Sequence, residues 1–170
     1  MKIDAKIFKQ DISIIQMEIQ RGNFDFKDYI SEEKFERIKL LAKNHPAPFL
    51  VVDLEKVLEK YVELEENLPY AKIFYAVKAN PSDAVVELLA RNGSCFDIAS
   101  IYELDQVLSH GVSPERISFG NTIKKDSAIS YAFSKGIRLF ATDSENDLRK
   151  IAKYAPGSKV YFRILCDGAG

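Results

Sequence analysis

Cys95-Phe96-Asp97-Ile98-Ala99-Ser100-Ile101-Tyr102-Glu103 opens a unit that the chain repeats in both directions. Its first five residues form a short, mostly apolar run that predicts a strand. Ser100 followed three residues later by Glu103 is a capping box, which marks a helix start. Apolar residues then recur at helical spacing until Gly111, a residue suited to the left-handed position just past a helix end. The next strand is predicted at Ile117 to Gly120. Working outward, further strands are expected at Phe49 to Val52, Lys72 to Ala79, Arg138 to Ala141 and Lys159 to Leu165. The helix before Lys72 carries Leu54, Val57, Leu58, Tyr61 and Val62 on one face, with Asp53 placed as its N-cap. Gly93 and Gly136 end later helices, and Ser144 with Asp147 is a weaker form of the capping box.

Strict alternation of strand and helix implies right-handed βαβ units and a parallel sheet. The repeat is roughly 22 residues long, short even for compact units of this kind. Such units build either an open doubly wound sheet or a closed barrel. No Gly-x-Gly-x-x-Gly follows a strand and no Gly-Lys-Ser/Thr loop occurs, which disfavours a nucleotide-binding doubly wound sheet. The barrel is the better expectation. Leaving aside Phe49 to Val52, five barrel strands are present, whereas closure takes eight.

Residues 1–47 read as an amino-terminal extension and 48–170 as the amino-terminal portion of the barrel. The extension holds a mixed Ile and Phe stretch (Ile12, Ile14, Ile15, Ile19, Phe24, Phe26) and a helix opened by Ser31 that carries Phe35, Ile38 and Leu41. His45-Pro46-Ala47-Pro48 then punctuates the chain.

Composition excludes more than it assigns. The chain of 170 residues is 46% hydrophobic and 29% charged, with a net charge of −1. No basic stripe suits a nucleic acid. No apolar run is long enough to span a bilayer, and the amino terminus lacks the apolar core of a signal peptide. Two cysteines, Cys95 and Cys166, make no disulfide framework, and a cytoplasmic location is expected. No nucleic-acid or membrane partner is expected.

In parallel α/β architectures the chemistry sits at the carboxyl ends of the strands. Lys78 lies there. By strand alternation Phe74, Ala76 and Lys78 share one face; if that face is the barrel interior, small Ala76 leaves room beneath an inward lysine. Partial desolvation would then favour the neutral amine that a Schiff base requires. On position alone, a lysine that reaches from a strand end to solvent is the commoner case. Asp97 within a short apolar strand is costly unless paired, and a lysine on the neighbouring strand would be its natural partner; a structural salt bridge is the alternative. Arg163 suits an anionic group or a structural ion pair. Glu103 reads first as the capping-box acid. His110, next to Gly111, is expected to complement its own helix dipole. Neither His45 nor His110 has a partner at ligand spacing, so no metal site is expected.

Tyr75-Ala76-Val77-Lys78-Ala79-Asn80 resembles the cofactor-lysine motif of fold-type III pyridoxal-phosphate enzymes. Companion blocks follow in order: Gly93 to Ser100 with Glu103, Pro114 to Lys125, Phe140 to Glu145, and Phe162-Arg163-Ile164. Pro81-Ser82-Asp83 stands where alanine racemases have Tyr-Gly-His-Gly. Ala99-Ser100-Ile101-Tyr102-Glu103 replaces the Val-Ser-Gly-Gly-Glu of diaminopimelate decarboxylases. The chain is similar to the ornithine and lysine/ornithine decarboxylases.

The resemblance implies an alanine-racemase-like (β/α)8 TIM barrel, here cut after about its fifth strand. It implies pyridoxal 5'-phosphate as cofactor, bound by Lys78, with Asp97 pairing with the lysine and Arg163 near the ring, toward its phenolic oxygen or the adjoining acidic network. A basic amino acid, most simply L-ornithine on its way to putrescine in polyamine biosynthesis, would be the small-molecule substrate. The full enzyme would be a homodimer. In the family the stacking histidine, the phosphate loop, the acid at the pyridine nitrogen and the Cys and Asp donated across the dimer come later. The 170 residues are therefore expected to be a fragment without efficient turnover of its own. Two other outcomes are a diaminopimelate decarboxylase or related enzyme, and a non-catalytic relative akin to an antizyme inhibitor.

Overall fold

The computed structural model describes residues 30–46 and 48–166. The Ile- and Phe-rich stretch from Ile12 to Phe26 lies outside them. The chain divides into two compact units, Met1–Val52 and Asp53–Gly170. This division falls five residues after the 47/48 boundary read from the sequence. Phe49 to Val52 forms no strand, and all four side chains are exposed. An apolar run makes a strand only where a neighbour completes its hydrogen bonds, and none of the described residues does so here.

In the first unit, helix α1 (Glu32–Asn44) begins where Ser31 Oγ accepts the Lys34 amide at 3.2 Å. Its last carbonyls are met by Asn44 Nδ2 on Leu40 at 3.3 Å and His45 Nδ1 on Leu41 at 2.9 Å. His45 therefore closes a helix end.

The second unit runs α2 (Leu54–Asn67), β1 (Phe74–Ala76), α3 (Asp83–Arg91), β2 (Cys95–Ile98), α4 (Ile101–Ser109), β3 (Ile117–Phe119), α5 (Asp126–Ser134), β4 (Leu139–Thr142), α6 (Glu145–Tyr154) and β5 (Lys159–Phe162). The caps expected from the sequence are present. Asp53 Oδ1 accepts the Lys56 amide at 3.2 Å, and Ser100 Oγ accepts the Glu103 amide at 3.3 Å. Glu103 completes its box by accepting from Ala99 N at 2.7 Å, one residue before the cap itself. Gly136 has φ of +93° after α5, and Pro114 lies 3.0 Å from where a Cβ would stand, so both conformation and space select glycine.

The five strands are all parallel and stand in the order β1-β2-β3-β4-β5. Sequential order has a consequence. Each right-handed crossover returns its helix to the same side, so all the helices cover one face of the sheet. That covered face is the core: Phe96, Ile98, Ile117, Phe119 and Phe140 are fully buried with Val85, Leu89, Leu104, Val107, Ile129 and Ile151 from the helices. Phe119 and Phe140 stack at 6.1 Å between centroids.

The other face is concave. Asp97 on β2 and Tyr161 on β5 are three strand spacings apart, about 14 Å along a flat sheet. Yet the Tyr161 hydroxyl donates to Asp97 Oδ1 at 3.3 Å. Only a strongly curled sheet brings them together, which is barrel curvature.

One buried ion pair joins two connections. Lys124, in the loop after β3, donates to Asp147 Oδ2 on α6 at 2.7 Å, to Ala141 O at 2.6 Å and to Asn121 O at 2.9 Å. All three ammonium protons are used, and both side chains are almost wholly buried. This explains why the second capping box is weak: Ser144 Oγ accepts the Asp147 amide at 3.4 Å, but the carboxylate serves Lys124 instead of reaching back. Removing one partner strands the other charge in the interior. Lys124→Met should therefore cost about 3–5 kcal/mol in urea unfolding, and the double change Lys124→Met with Asp147→Leu should recover most of it.

Candidate active site

Lys72 to Ala79 does not form one strand. β1 ends at Ala76, and Val77–Ala79 turns as a short 3-10 segment. Two contacts cause the break. The Val77 side chain is fully buried, and the Tyr75 hydroxyl donates to Asn80 O at 3.1 Å, closing the turn. Burial raises the Tyr75 phenol above its ordinary pKa, which keeps it protonated as that donor. Lys78 therefore does not continue the face of Phe74 and Ala76. It stands exposed at the carboxyl edge of the sheet, so the desolvated inward lysine expected from alternation is not formed here. Among the described residues no ion pair or hydrogen bond joins Lys78 to Asp97 or Arg163.

Asp97 is on the concave face, as the period of a strand requires once Phe96 and Ile98 are buried. Register pairs Ala76 with Asp97 and Asp97 with Ser118, giving one rung across β1, β2 and β3. Ser118 Oγ donates to Asp97 Oδ1 at 2.5 Å, and Tyr161 donates to the same oxygen. Oδ2 accepts no hydrogen bond among the described residues. A Cβ on Gly120 would overlap the Asp97 carboxylate, so any larger residue there would force that side chain to shift. Phe74, Ala76, Asp97, Ser118, Leu139 and Tyr161 line a concavity of about 360 Å³.

Arg163 follows β5, where its amide donates to Thr142 O at 2.8 Å. Its side chain is exposed, and its positive charge acts on the Tyr161 phenol. The lysine, the aspartate and the arginine thus share the carboxyl side of the sheet without being bonded to one another. Ser118, Gly120 and Tyr161 were not singled out from the sequence. Alternation with Phe119 and Val160 could have placed Ser118 and Tyr161 on the face of Asp97, but nothing in sequence spacing shows the curl that joins β5 to β2.

His110 caps the carboxyl end of α4 and also reaches a neighbouring helix. Its Nε2 meets Asp83 Oδ1 at 3.1 Å, and Gln106 donates to the same oxygen at 2.9 Å, clasping α4 to the first turn of α3. These bonds, Gln106 first, hold the Asp83 carboxyl below the usual range. Cys95 is buried and Cys166 exposed. Among the described residues no group of three or more His, Cys, Asp or Glu side chains could hold a metal ion, and no helix is long and apolar enough to cross a membrane.

Residues 54–169 match the family described as pyridoxal-dependent decarboxylase, pyridoxal binding domain. The chain belongs to this family. It is 38% identical over 138 residues to the lysine/ornithine decarboxylase of Selenomonas ruminantium, covering 81% of this chain and 35% of that protein. It is 40% identical over 119 residues to antizyme inhibitor 2 of Xenopus laevis, covering 70% of this chain and 26% of that one. Among solved structures, the arginine decarboxylase of Paramecium bursaria Chlorella virus bound to agmatine superposes with a TM-score of 0.73 at 30% identity, covering 79% of this chain and 37% of that one. The chain thus spans between a quarter and about a third of the length of the curated relatives named. The sequential parallel order and the curl of its sheet are those of a (β/α)8 barrel's first five strands.

Pyridoxal phosphate needs an exposed primary amine as tether, and the carboxyl edge supplies one in Lys78. Ala76 and Gly120 leave that edge free of bulk, and Asp97 keeps an acceptor open beside it. The residues present fit one side of such a cofactor. Gly120→Ala should destabilise the chain by about 1–3 kcal/mol in urea unfolding, because the added methyl must displace Asp97 from Ser118 and Tyr161.

Proposed function

We propose that this chain is the cofactor-anchoring part of a pyridoxal-phosphate-dependent decarboxylase acting on a basic amino acid, with L-ornithine as substrate and putrescine as product. The observation that carries the reading is the placement of Lys78. It is an exposed primary amine at the strand end of a barrel sheet, one strand away from a carboxylate with an unpartnered oxygen.

When bound, pyridoxal phosphate supplies an electron sink for the pair released as CO2 leaves the α-carbon of the substrate. Lys78 Nζ would hold the cofactor as its tether. When not so engaged its nitrogen would carry a proton and a positive charge, for which the Asp97 carboxylate would be the acceptor. Arg163 brings positive charge to the same edge, suited to the phenolic oxygen of the cofactor. The fully buried Val77 fixes the turn beneath Lys78, so the tether starts from a rigid point.

Ornithine is favoured by the lysine/ornithine decarboxylase match, and a cytoplasmic homodimer belongs to the same reading. Because the chain spans 35% of that relative, turnover is proposed for a protein that also carries the remaining barrel and carboxyl-terminal domain. One observation favours a second reading: the match to an antizyme inhibitor allows a non-catalytic relative on the same scaffold. The cofactor separates the two. Pyridoxal phosphate followed by borohydride should label Lys78, and Lys78→Ala should abolish labelling; no labelling of the wild-type chain sinks the cofactor role. CO2 release by the protein with its remaining domains should be fastest per KM for ornithine, and higher kcat/KM for lysine or arginine would reassign the substrate.

A further inference from the structure

Two hydroxyl groups on different strands converge on a single oxygen of Asp97. Ser118 Oγ donates to Oδ1 from the adjacent strand β3, and Tyr161 donates to it from β5 across the concave face. Oδ2 receives neither. The Ser118 side chain is buried, and its partner residue on the rung is Asp97 itself, so its hydroxyl is committed. The absence of a side chain at Gly120 leaves the carboxylate the space in which a Cβ would stand. A carboxylate gripped through one oxygen by two donors is held in place while its other oxygen accepts nothing from the described residues.

We propose that Ser118 and Tyr161 are positioning residues: they hold the Asp97 carboxylate by Oδ1, in place and without a neutralising cation, for the cofactor lysine's nitrogen. The inference rests on the lysine–aspartate partnership proposed above and adds what orients it. Hydroxyl donors suit the task better than a cation would. Lysine or arginine at either position would neutralise Asp97 and compete with Lys78, whereas a hydroxyl fixes geometry and leaves the charge available.

The surroundings keep Tyr161 a donor. Burial raises its phenol above the ordinary pKa; Ser118 and Arg163 work against the rise, while the charge of Asp97 and its hydrogen bond add to it. A proton favoured in the native state is a contribution present below the ordinary tyrosine range and lost as pH climbs through the raised value. The grip on Asp97 is therefore intact through neutral pH.

The test uses the 170-residue chain loaded with pyridoxal phosphate and follows the pH midpoint of the absorption band of the lysine-bound cofactor. Asp97→Asn should lower that midpoint by about 1 unit or more, because an adjacent carboxylate favours the protonated nitrogen. Tyr161→Phe and Ser118→Ala should each lower it part of the way, and Ser118→Thr should restore the wild-type value. Equal thermal unfolding midpoints establish that the variants fold, and Tyr161→Phe removes one oxygen from a partly exposed ring. If Asp97→Asn moves the midpoint while folded Tyr161→Phe and Ser118→Ala leave it in place or raise it, the positioning role is overturned and the partnership stands. If Asp97→Asn itself has no effect, the lysine–aspartate partnership falls, and the positioning role falls with it. A second readout needs no cofactor: the carbon-13 titration of Tyr161 should shift to lower pH in Asp97→Asn, and an unchanged titration overturns the bond between them.

Discussion

Burial of Phe96, Phe119 and Phe140 under the helices commits three neighbouring strands at once. A strand has a period of two, so fixing one residue to the core fixes its neighbours to the opposite face. Asp97 and Ser118 are on the concave side because Phe96 and Phe119 cannot be. Slipping β2 or β3 by one residue would place Asp97 or Ser118 in the core and a phenylalanine in the concavity. The aromatic row therefore sets the register of the sheet and, through it, the polar rung on the other face. The apolar core and the candidate site are two consequences of one constraint.

Curvature supplies what register alone cannot. Sequential strand order keeps every helix on one side, and the helices packed there force the sheet to wrap away from them. Tyr161 can then reach Asp97, although 64 residues and three strand spacings separate them. The same wrapping exposes the end of β5, where Phe162, Ile164 and Leu165 are all open. One side of the concavity is formed by these five strands.

Periodicity and caps made the fold legible. Each of the strands from Cys95 onward stands where its apolar run placed it, within a few residues, because capping boxes and end glycines bound the helices between them. Two misreadings have the same origin. Phe49 to Val52 and the second half of Lys72 to Ala79 both have strand-like composition. Composition reports what a strand would tolerate, and it does not report whether a neighbour supplies hydrogen bonds. At Val77 tertiary packing wins: a buried valine and a tyrosine–carbonyl bond turn the chain and carry Lys78 out of the sheet. Asp97 could be located from alternation, and Lys78 to within the end of its strand. Their surroundings could not, since Ser118, Gly120 and Tyr161 meet Asp97 only through register and curl. His110 stands at the helix end where the sequence placed it, but its contact with Asp83 on the preceding helix, 27 residues away, is not visible in local spacing.

Asp97 on β2 and Asp147 on α6 have environments that suit them to opposite tasks. Asp147 is almost wholly buried and permanently matched to Lys124, whose remaining protons go to the Asn121 and Ala141 carbonyls. Such a pair is closed: desolvation makes separation costly, so it can hold the loop after β3 against α6 and cannot take part in chemistry that needs a free carboxylate. Asp97 is only half-buried, and its protein partners are two neutral hydroxyls on one oxygen. It has the grip without the neutralisation. In the proposed role, a carboxylate held in place and not matched to a cation of the protein would be available to Lys78 whenever its nitrogen is free of the cofactor. The difference between the two sites lies in the choice of donor, cation for structure and hydroxyl for readiness.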